Sequence, residues 1–247
     1  MTINPQTAVT IKNDKETRMT VNSSTLIRWS GLAAVVAGLI FAGIQPIHPA
    51  DVVASVNTTA WGIITPLKWA MCLLFLIGIT GIYAKQVKQA GWLGLVGFVL
   101  LIFTWWLQGM FVFAEAFVAP PLARRAPAFV DGLLGISYGH TGGIDLGHLT
   151  TLYAFLGITY MLGGLVFGIA TFRAGILPRW AAALLAVTAT LTPLAALLPH
   201  AQQRYAAVPM GIALACLGYT LWSERREPAT SPGPGTVNPQ LQPAEVR

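Results

Sequence analysis

The sequence predicts an all-helical integral membrane protein, a bundle of six transmembrane helices with both termini in the cytoplasm. Of its 247 residues, 55% are hydrophobic and only 10% are charged, and the mean hydropathy is +0.64. A soluble domain carries about 25% charged residues, so this chain has too little polar surface to cover a globule in water. The apolar residues also form long runs, and the basic residues are concentrated on one side of those runs.

Six apolar runs are predicted to cross the membrane, because each approaches the roughly 20 residues that a helix needs to span the hydrocarbon core. The runs are uninterrupted, whereas the strands of a membrane barrel alternate in hydrophobicity over roughly ten residues. Small residues recur at four-residue spacing, as at Ala34 with Gly38 and at Gly164 with Gly168, which favours close contacts between helices. The predicted spans are about 26–47, 61–84, 92–119, 146–172, 177–198 and 205–222.

The positions of Lys and Arg predict the orientation, since cytoplasmic loops are enriched in both residues. If the N-terminus is cytoplasmic, only Arg124, Arg125 and Arg204 lie on the outer side. The inner side then holds Lys12, Lys15, Arg18, Arg28, Lys85, Lys88, Arg173, Arg179, Arg225, Arg226 and Arg247. The net charge of +6 is therefore explained by insertion into a bacterial cytoplasmic membrane, and no nucleic-acid partner is expected.

Two disordered cytoplasmic tails are predicted to flank the membrane domain. Residues 1–25 are mostly polar, and residues 224–247 are rich in proline and small polar residues. Such compositions bury too little apolar surface to order the chain. The six-helix domain is accordingly predicted over residues 26–223. Its first span is expected to remain as an anchor, because no cleavable signal peptide is apparent before it.

Two ionisable residues lie inside predicted spans. An ionised side chain at the centre of a bilayer costs roughly 2.5–3.5 kcal/mol on insertion scales, so it needs a partner or a function. Lys68 and Glu115 have opposite charges and similar depths below the outer face. An opposite charge at close range keeps both groups ionised, and a Lys68–Glu115 pair or a shared hydrogen-bonded cluster is predicted. Such a pair has a purely structural interpretation as well, in which it only holds two helices in register.

A polar pocket is predicted just below the outer face. All four histidines map to that side, and the connection 120–144 is long enough to form a roof over the bundle. Asp145, His148 and Thr151 are spaced to share one helix face, as are Gln108 and Glu115. The residues predicted to line the pocket are Gln45, His48, Lys68, Gln108, Glu115, Tyr138, His140, Asp145, His148, Thr151 and His200.

The leading functional hypothesis is that this pocket binds a small molecule, a lipid headgroup or a metal. A divalent metal would have His48, His148 and His200 as candidate ligands. Haem is less favoured, because membrane haem ligands usually face each other within spans. The rival hypothesis is a membrane-embedded enzyme, metal-dependent or not, in which Glu115 or Asp145 acts with His148. A transporter and an accessory or scaffold subunit without chemistry are the remaining alternatives; the substrate and the oligomeric state are not predicted.

The first part of the chain, about 120 residues, resembles uncharacterised bacterial multi-pass membrane proteins. The likeness rests on Arg28-x-x-Gly31 in the first span and on the HPAD sequence at 48–51. It continues with GITGIYAKQ at the end of the second span, followed by GWLGLVGFVLL. The resemblance implies a six-span bacterial membrane protein. It implies no activity, and no site residue is transferred through it.

Overall fold

The structure, a computed structural model, describes residues 22–224 except for the side chains of Ala196, His200 and Ala201. Within this range the chain is helical and contains no strand. Four helical segments are long and apolar enough to cross a membrane, namely Ser23–Gly43, Thr59–Leu122, His148–Ala174 and Arg204–Ser223. The predicted class, a helical membrane bundle, is confirmed at this level. The predicted tails lie almost entirely outside the described residues.

The described helices occupy the predicted apolar runs, although one helix, Thr59–Phe113, extends over two of them. Short 3₁₀ turns connect several of them, and a single π-helical segment, Ala114–Val118, follows the second helix. In chain order the helices are α1 (Ser23–Gly43), α2 (Thr59–Phe113), α3 (Ala119–Leu122), α4 (Pro127–Gly135), α5 (His148–Ala174), α6 (Arg179–Leu191), α7 (His200–Gln203) and α8 (Ala207–Ser223).

Helix α2 is a hairpin of two antiparallel halves. A straight helix of its 55 residues would be about 80 Å long, far more than a bilayer core of about 30 Å. The backbone leaves the helical conformation at Gly91, with φ of +55° and ψ of −151°. Residues distant in sequence then meet across the halves. Tyr83 stacks on Phe98, and the indole N–H of Trp61 donates to the carbonyl of Glu115 at 3.1 Å.

Small residues form the contacts between the helices, as their spacing predicts. The backbone of Gly38 lies against Ala215 in α8, and Gly164 lies against Ala189 in α6. In lipid no hydrophobic effect drives helices together, so close backbone approach and dispersion contacts have to stabilise the bundle. Helix α1 thus runs antiparallel to α8, and α5 runs antiparallel to α6.

A methyl group at Gly38 should destabilise the bundle, because it would lie only 2.8 Å from the Cβ of Ala215 and 2.9 Å from its backbone nitrogen. We expect Gly38→Ala to lower the free energy of unfolding by about 1–2 kcal/mol through overpacking. The matched control is Gly157→Ala in α5, where nothing lies within 4 Å of the new methyl group. Thermal unfolding in detergent measures both, and equal midpoints for the two variants would contradict the α1–α8 contact.

The two ends of the bundle differ in what they contain. At one end, here called the terminal end, the described part of the chain both begins and finishes. Arg28 Nε donates to the carbonyl of Trp222 at 3.0 Å, and Lys85 pairs with Glu224. The opposite end, the loop end, gathers the connections 44–58, 114–147 and 192–206. The cavity described below lies toward the loop end.

The predicted roof segment is largely helical. Within the connection 120–144, α4 is followed by a 3₁₀ turn, Ile136–Tyr138. Val130 and Leu134 of α4 are buried and belong to one apolar cluster with Trp61. This packing fixes the segment onto the loop end of the bundle.

Candidate functional site

Lys68 and Glu115 form the ion pair that their depths predict. Lys68 Nζ lies 2.9 Å from Glu115 Oε2, and each side chain is 16% exposed. Lys68 is on the first half of α2 and Glu115 follows the second half, so the hairpin at Gly91 brings them together. The pair links the two halves of α2 near the loop end.

The π-helical segment that carries Glu115 has a cause in the sequence. The N–H of Ala119 bonds to the carbonyl of Ala114, five residues back, instead of that of Glu115. The next residue, Pro120, has no N–H to offer. The carbonyl of Glu115 is therefore left without a partner in its own helix, and the indole N–H of Trp61 supplies one. Single π turns inside α-helices occur frequently at functional sites.

His48 extends the ion pair into a chain of three side chains. Its Nε2 lies 3.0 Å from Lys68 Nζ, and its Nδ1 lies 2.7 Å from the carbonyl of Pro49. An ammonium group only donates and a carbonyl only accepts. His48 consequently carries its proton on Nδ1 and accepts from Lys68 through Nε2. Burial of the ring and the charge of Lys68 lower the pKa of His48 to about 4, so the ring is neutral near pH 7.

Asp51 and Arg204 lie beside this chain and connect two loops. Arg204 donates from Nη1 to the carbonyl of His48 at 2.8 Å. Its Nη2 lies 3.9 Å from Asp51 Oδ2, and Asp51 Oδ1 lies 3.8 Å from His48 Nδ1. The connection after α1 is thereby tied to the turn that precedes α8.

These five side chains contribute to the wall of a cavity of about 320 Å³. Thr104, Gln108, Tyr153 and Tyr160 add further polar groups to the wall. Phe41 and Trp105, whose ring centroids are 5.3 Å apart, belong to its apolar part. The other apolar side chains of the wall include Ile44, Met71, Val112, Leu134 and Ile136. A charged cluster and an apolar interior thus share one cavity.

The predicted pocket residues separate into two sets. Gln45, His48, Lys68, Gln108 and Glu115 line the cavity. The side chain of His200 lies outside the described part of the chain. The residues that do not line the cavity are Tyr138, His140, Asp145, His148 and Thr151.

The roof over the cavity differs from the one that the sequence suggests. Leu134, Ile136 and Ser137 line the cavity, whereas Tyr138 and His140 do not. His140 Nε2 instead lies 2.6 Å from Asp131 Oδ2, and its ring stacks on Tyr138. The long connection therefore contributes to the cavity wall, but not through the two residues predicted to do so.

The predicted face of Asp145, His148 and Thr151 does not form. The backbone of Gly147 is not helical, with φ of +58°, and α5 begins only at His148. Asp145 therefore precedes the helix, where its carboxylate accepts from the N–H of Gly147 at 2.7 Å. A helical spacing rule does not apply across this glycine.

Several polar residues of the cavity wall were not predicted from the sequence, among them Tyr153, Tyr160, Asp51 and Arg204. Tyr153 and Tyr160 are seven residues apart, which places them on one face of α5, and this spacing could have identified them. Asp51 and Arg204 gave no such signal, because each lies in a connection whose path depends on tertiary packing.

The metal and enzyme hypotheses gain no geometric support from the side chains that the structure describes. Among these, no three His, Cys, Asp or Glu residues are close enough together to hold a metal ion. His48 lines the cavity and His148 does not, and neither Asp145 nor His148 accompanies Glu115 there.

Comparison with known proteins finds no match to this chain, whether among protein-family models, curated proteins or solved structures.

Because His48 is neutral in the folded protein, the free energy of unfolding should depend on pH. The pKa of this histidine is about 4 in the fold and 6.5 ordinarily, so the unfolded chain binds the extra proton as the pH falls below 6.5. Stability should therefore decrease with falling pH, by about 2 kcal/mol between pH 7.5 and 5. Unfolding in detergent at several pH values measures this, with His48→Gln as the control. An equal loss in His48→Gln would contradict the assignment.

Proposed function

We propose that this chain is a six-span membrane protein whose cavity binds a small organic molecule at the outer face. The main observation behind this proposal is the cavity. Its volume of about 320 Å³ is in the range of small-molecule sites, which are mostly apolar with a few convergent polar groups. Ionised residues within membrane spans are a further indication of a functional site.

Unused polar groups on the cavity wall support binding. Among residues 22–224, no hydrogen-bond partner is found for the buried indole N–H of Trp105, and none is found for the partly exposed carboxamide of Gln108. Buried polar groups in folded proteins nearly always have a hydrogen-bond partner. A ligand with hydrogen-bonding groups, or water, would provide these partners.

Six spans are favoured over four by two features of the helices. The hairpin at Gly91 divides residues 59–122 into two antiparallel lengths that would each cross the bilayer. Residues 179–197 combine α6 with the 3₁₀ turn Thr192–Leu197, which together extend about 30 Å. The six crossings correspond to the spans that the sequence predicts.

The orientation with both termini in the cytoplasm is supported by the residues of the terminal end. Arg28, Lys85 and Lys88 lie there, consistent with the enrichment of basic residues on the cytoplasmic side. The exposed Trp29 and Trp92 are at the same end, where tryptophan anchors membrane helices at the interface. The loop end and its cavity would then face outward from a bacterial cytoplasmic membrane.

A variant that fills the cavity tests the binding function. We expect the chain, purified in mild detergent, to carry a bound molecule detectable by native mass spectrometry, and Ala207→Phe on the cavity wall to lose it. Ala154→Phe, at an exposed position of α5 that does not line the cavity, is the matched control. Both variants should keep the unfolding midpoint of the parent within a few degrees. A parent without bound molecule, or Ala207→Phe that retains it, would overturn the proposal.

A further inference from the structure

Asp51 and Arg204 lie next to each other on the cavity wall but do not form a hydrogen bond with each other. Their closest atoms are 3.9 Å apart, whereas charge-assisted hydrogen bonds measure about 2.7–2.9 Å. Among the described residues, no donor lies within hydrogen-bonding distance of the Asp51 carboxylate. Within the described part of the chain, the hydrogen bond of Arg204 to the carbonyl of His48 is the only one found for its side chain, which leaves most of its five N–H groups unused. One anion and one cation of the wall are thus both open to a ligand.

The neighbouring charges are already paired. Lys68 bonds to Glu115 at 2.9 Å and to His48 at 3.0 Å. With His48 neutral, the charges of Lys68, Glu115, Asp51 and Arg204 sum to zero. A ligand with a net charge would leave one charge uncompensated in a site partly removed from water, which is costly.

We infer that the ligand is a zwitterion, whose ammonium group pairs with Asp51 and whose acidic oxygen atoms pair with Arg204. Its apolar part lies toward Phe41 and Trp105. An uncharged ligand would satisfy the overall charge balance, but it would leave Asp51 and Arg204 with only each other as a charged partner, at 3.9 Å and without a hydrogen bond. This inference rests on the proposed binding function. The same chemistry occurs in the headgroup of a zwitterionic lipid and in free small zwitterions.

Three probes, added to the full chain in detergent, distinguish the ligand classes by isothermal calorimetry. Dihexanoyl-phosphatidylethanolamine represents the lipid headgroup, and leucine represents a free zwitterion with an apolar body. Dihexanoyl-phosphatidylglycerol has the same chains and phosphate but carries a net negative charge. We expect at least tenfold tighter binding of one zwitterionic probe than of the anionic one. Preference for the lipid probe or for leucine identifies the source.

Variants of Asp51 and Arg204 complete the test. Asp51→Asn and Arg204→Gln should each weaken binding of the preferred zwitterion at least tenfold, with Arg204→Lys affected less. Arg124→Gln, an exposed residue of the connection after α3, is the control and should bind like the parent. Size-exclusion profiles like that of the parent exclude loss of the fold as the cause.

Three results would overturn the inference: equal binding of the anionic lipid, no binding of either zwitterion, or full affinity in Asp51→Asn. If native mass spectrometry still shows a bound molecule that Ala207→Phe loses, the proposed binding function stands and only the zwitterion assignment fails. If no molecule is found there and no probe binds, both fail.

Discussion

Lys68→Met is expected to lower the free energy of unfolding by about 3–5 kcal/mol, because it leaves the Glu115 carboxylate largely buried without its cation. Among the described residues, no second hydrogen bond or ion pair to the Glu115 carboxylate is found, since the indole N–H of Trp61 donates to the backbone carbonyl of Glu115 instead. His48 would also lose its Nε2 donor. Chemical or thermal unfolding in detergent measures the loss. Lys88→Met, at an exposed position of the terminal end, is the matched control and should change stability by less than about 0.5 kcal/mol.

A double-mutant cycle separates the pair from the individual residues. Glu115→Gln removes the carboxylate charge, and in the double variant with Lys68→Met neither charge remains. We expect the double variant to be more stable than the sum of the two single losses by about 1–3 kcal/mol. Additive losses would mean that Lys68 and Glu115 are not partners in the folded protein.

Gly91→Val is expected to destabilise the protein by about 2–3 kcal/mol through backbone strain. With φ of +55° and ψ of −151°, this position is in a region that residues with a Cβ avoid. Nothing lies within 4 Å of a Cβ placed there, so crowding does not contribute. Because Gly91 allows the two halves of α2 to run antiparallel, the variant should weaken the contact of Trp61 with Glu115.

The control for this prediction is Gly157→Val, which has the same change in side chain at an open position inside α5. Its helical backbone accepts valine without strain, so its unfolding midpoint should match the parent or exceed it. A Gly91→Val midpoint equal to that of Gly157→Val would show that the chain does not turn at Gly91 in this conformation.

The sequence predicts those features that depend on distance along a helix. Rise per residue and hydrophobic length put Lys68 and Glu115 at one depth, and the structure pairs them. The four-residue spacing of Gly164 and Gly168 identifies a real contact with α6 for the same reason. Where a helix is continuous, the spacing of residues in the sequence is enough to predict which of them lie at the same depth or on the same face.

Prediction fails where the backbone leaves the helix. Gly147 stops the extrapolation from His148 back to Asp145, and the Asx-type contact of Asp145 replaces the expected helical one. The positions of Asp51 and Arg204 depend on how two separate connections pack over the loop end, which no local spacing encodes. The two residues on which the proposed zwitterion binding depends are therefore ones that the sequence leaves unassigned.

Labelling of single cysteines in intact cells tests the central claim, that the cavity opens outward from a bundle with cytoplasmic termini. Asn57 and Gln89 are exposed; Asn57 lies just before the start of α2, and Gln89 lies near the end of its first half. We expect a membrane-impermeant maleimide to label Asn57→Cys in intact cells and Gln89→Cys only after the membrane is opened. The parent chain, whose Cys72 is buried and whose Cys216 is partly buried, gives the background. Labelling of both positions from the same side, or of Gln89→Cys alone from outside, would contradict the claim.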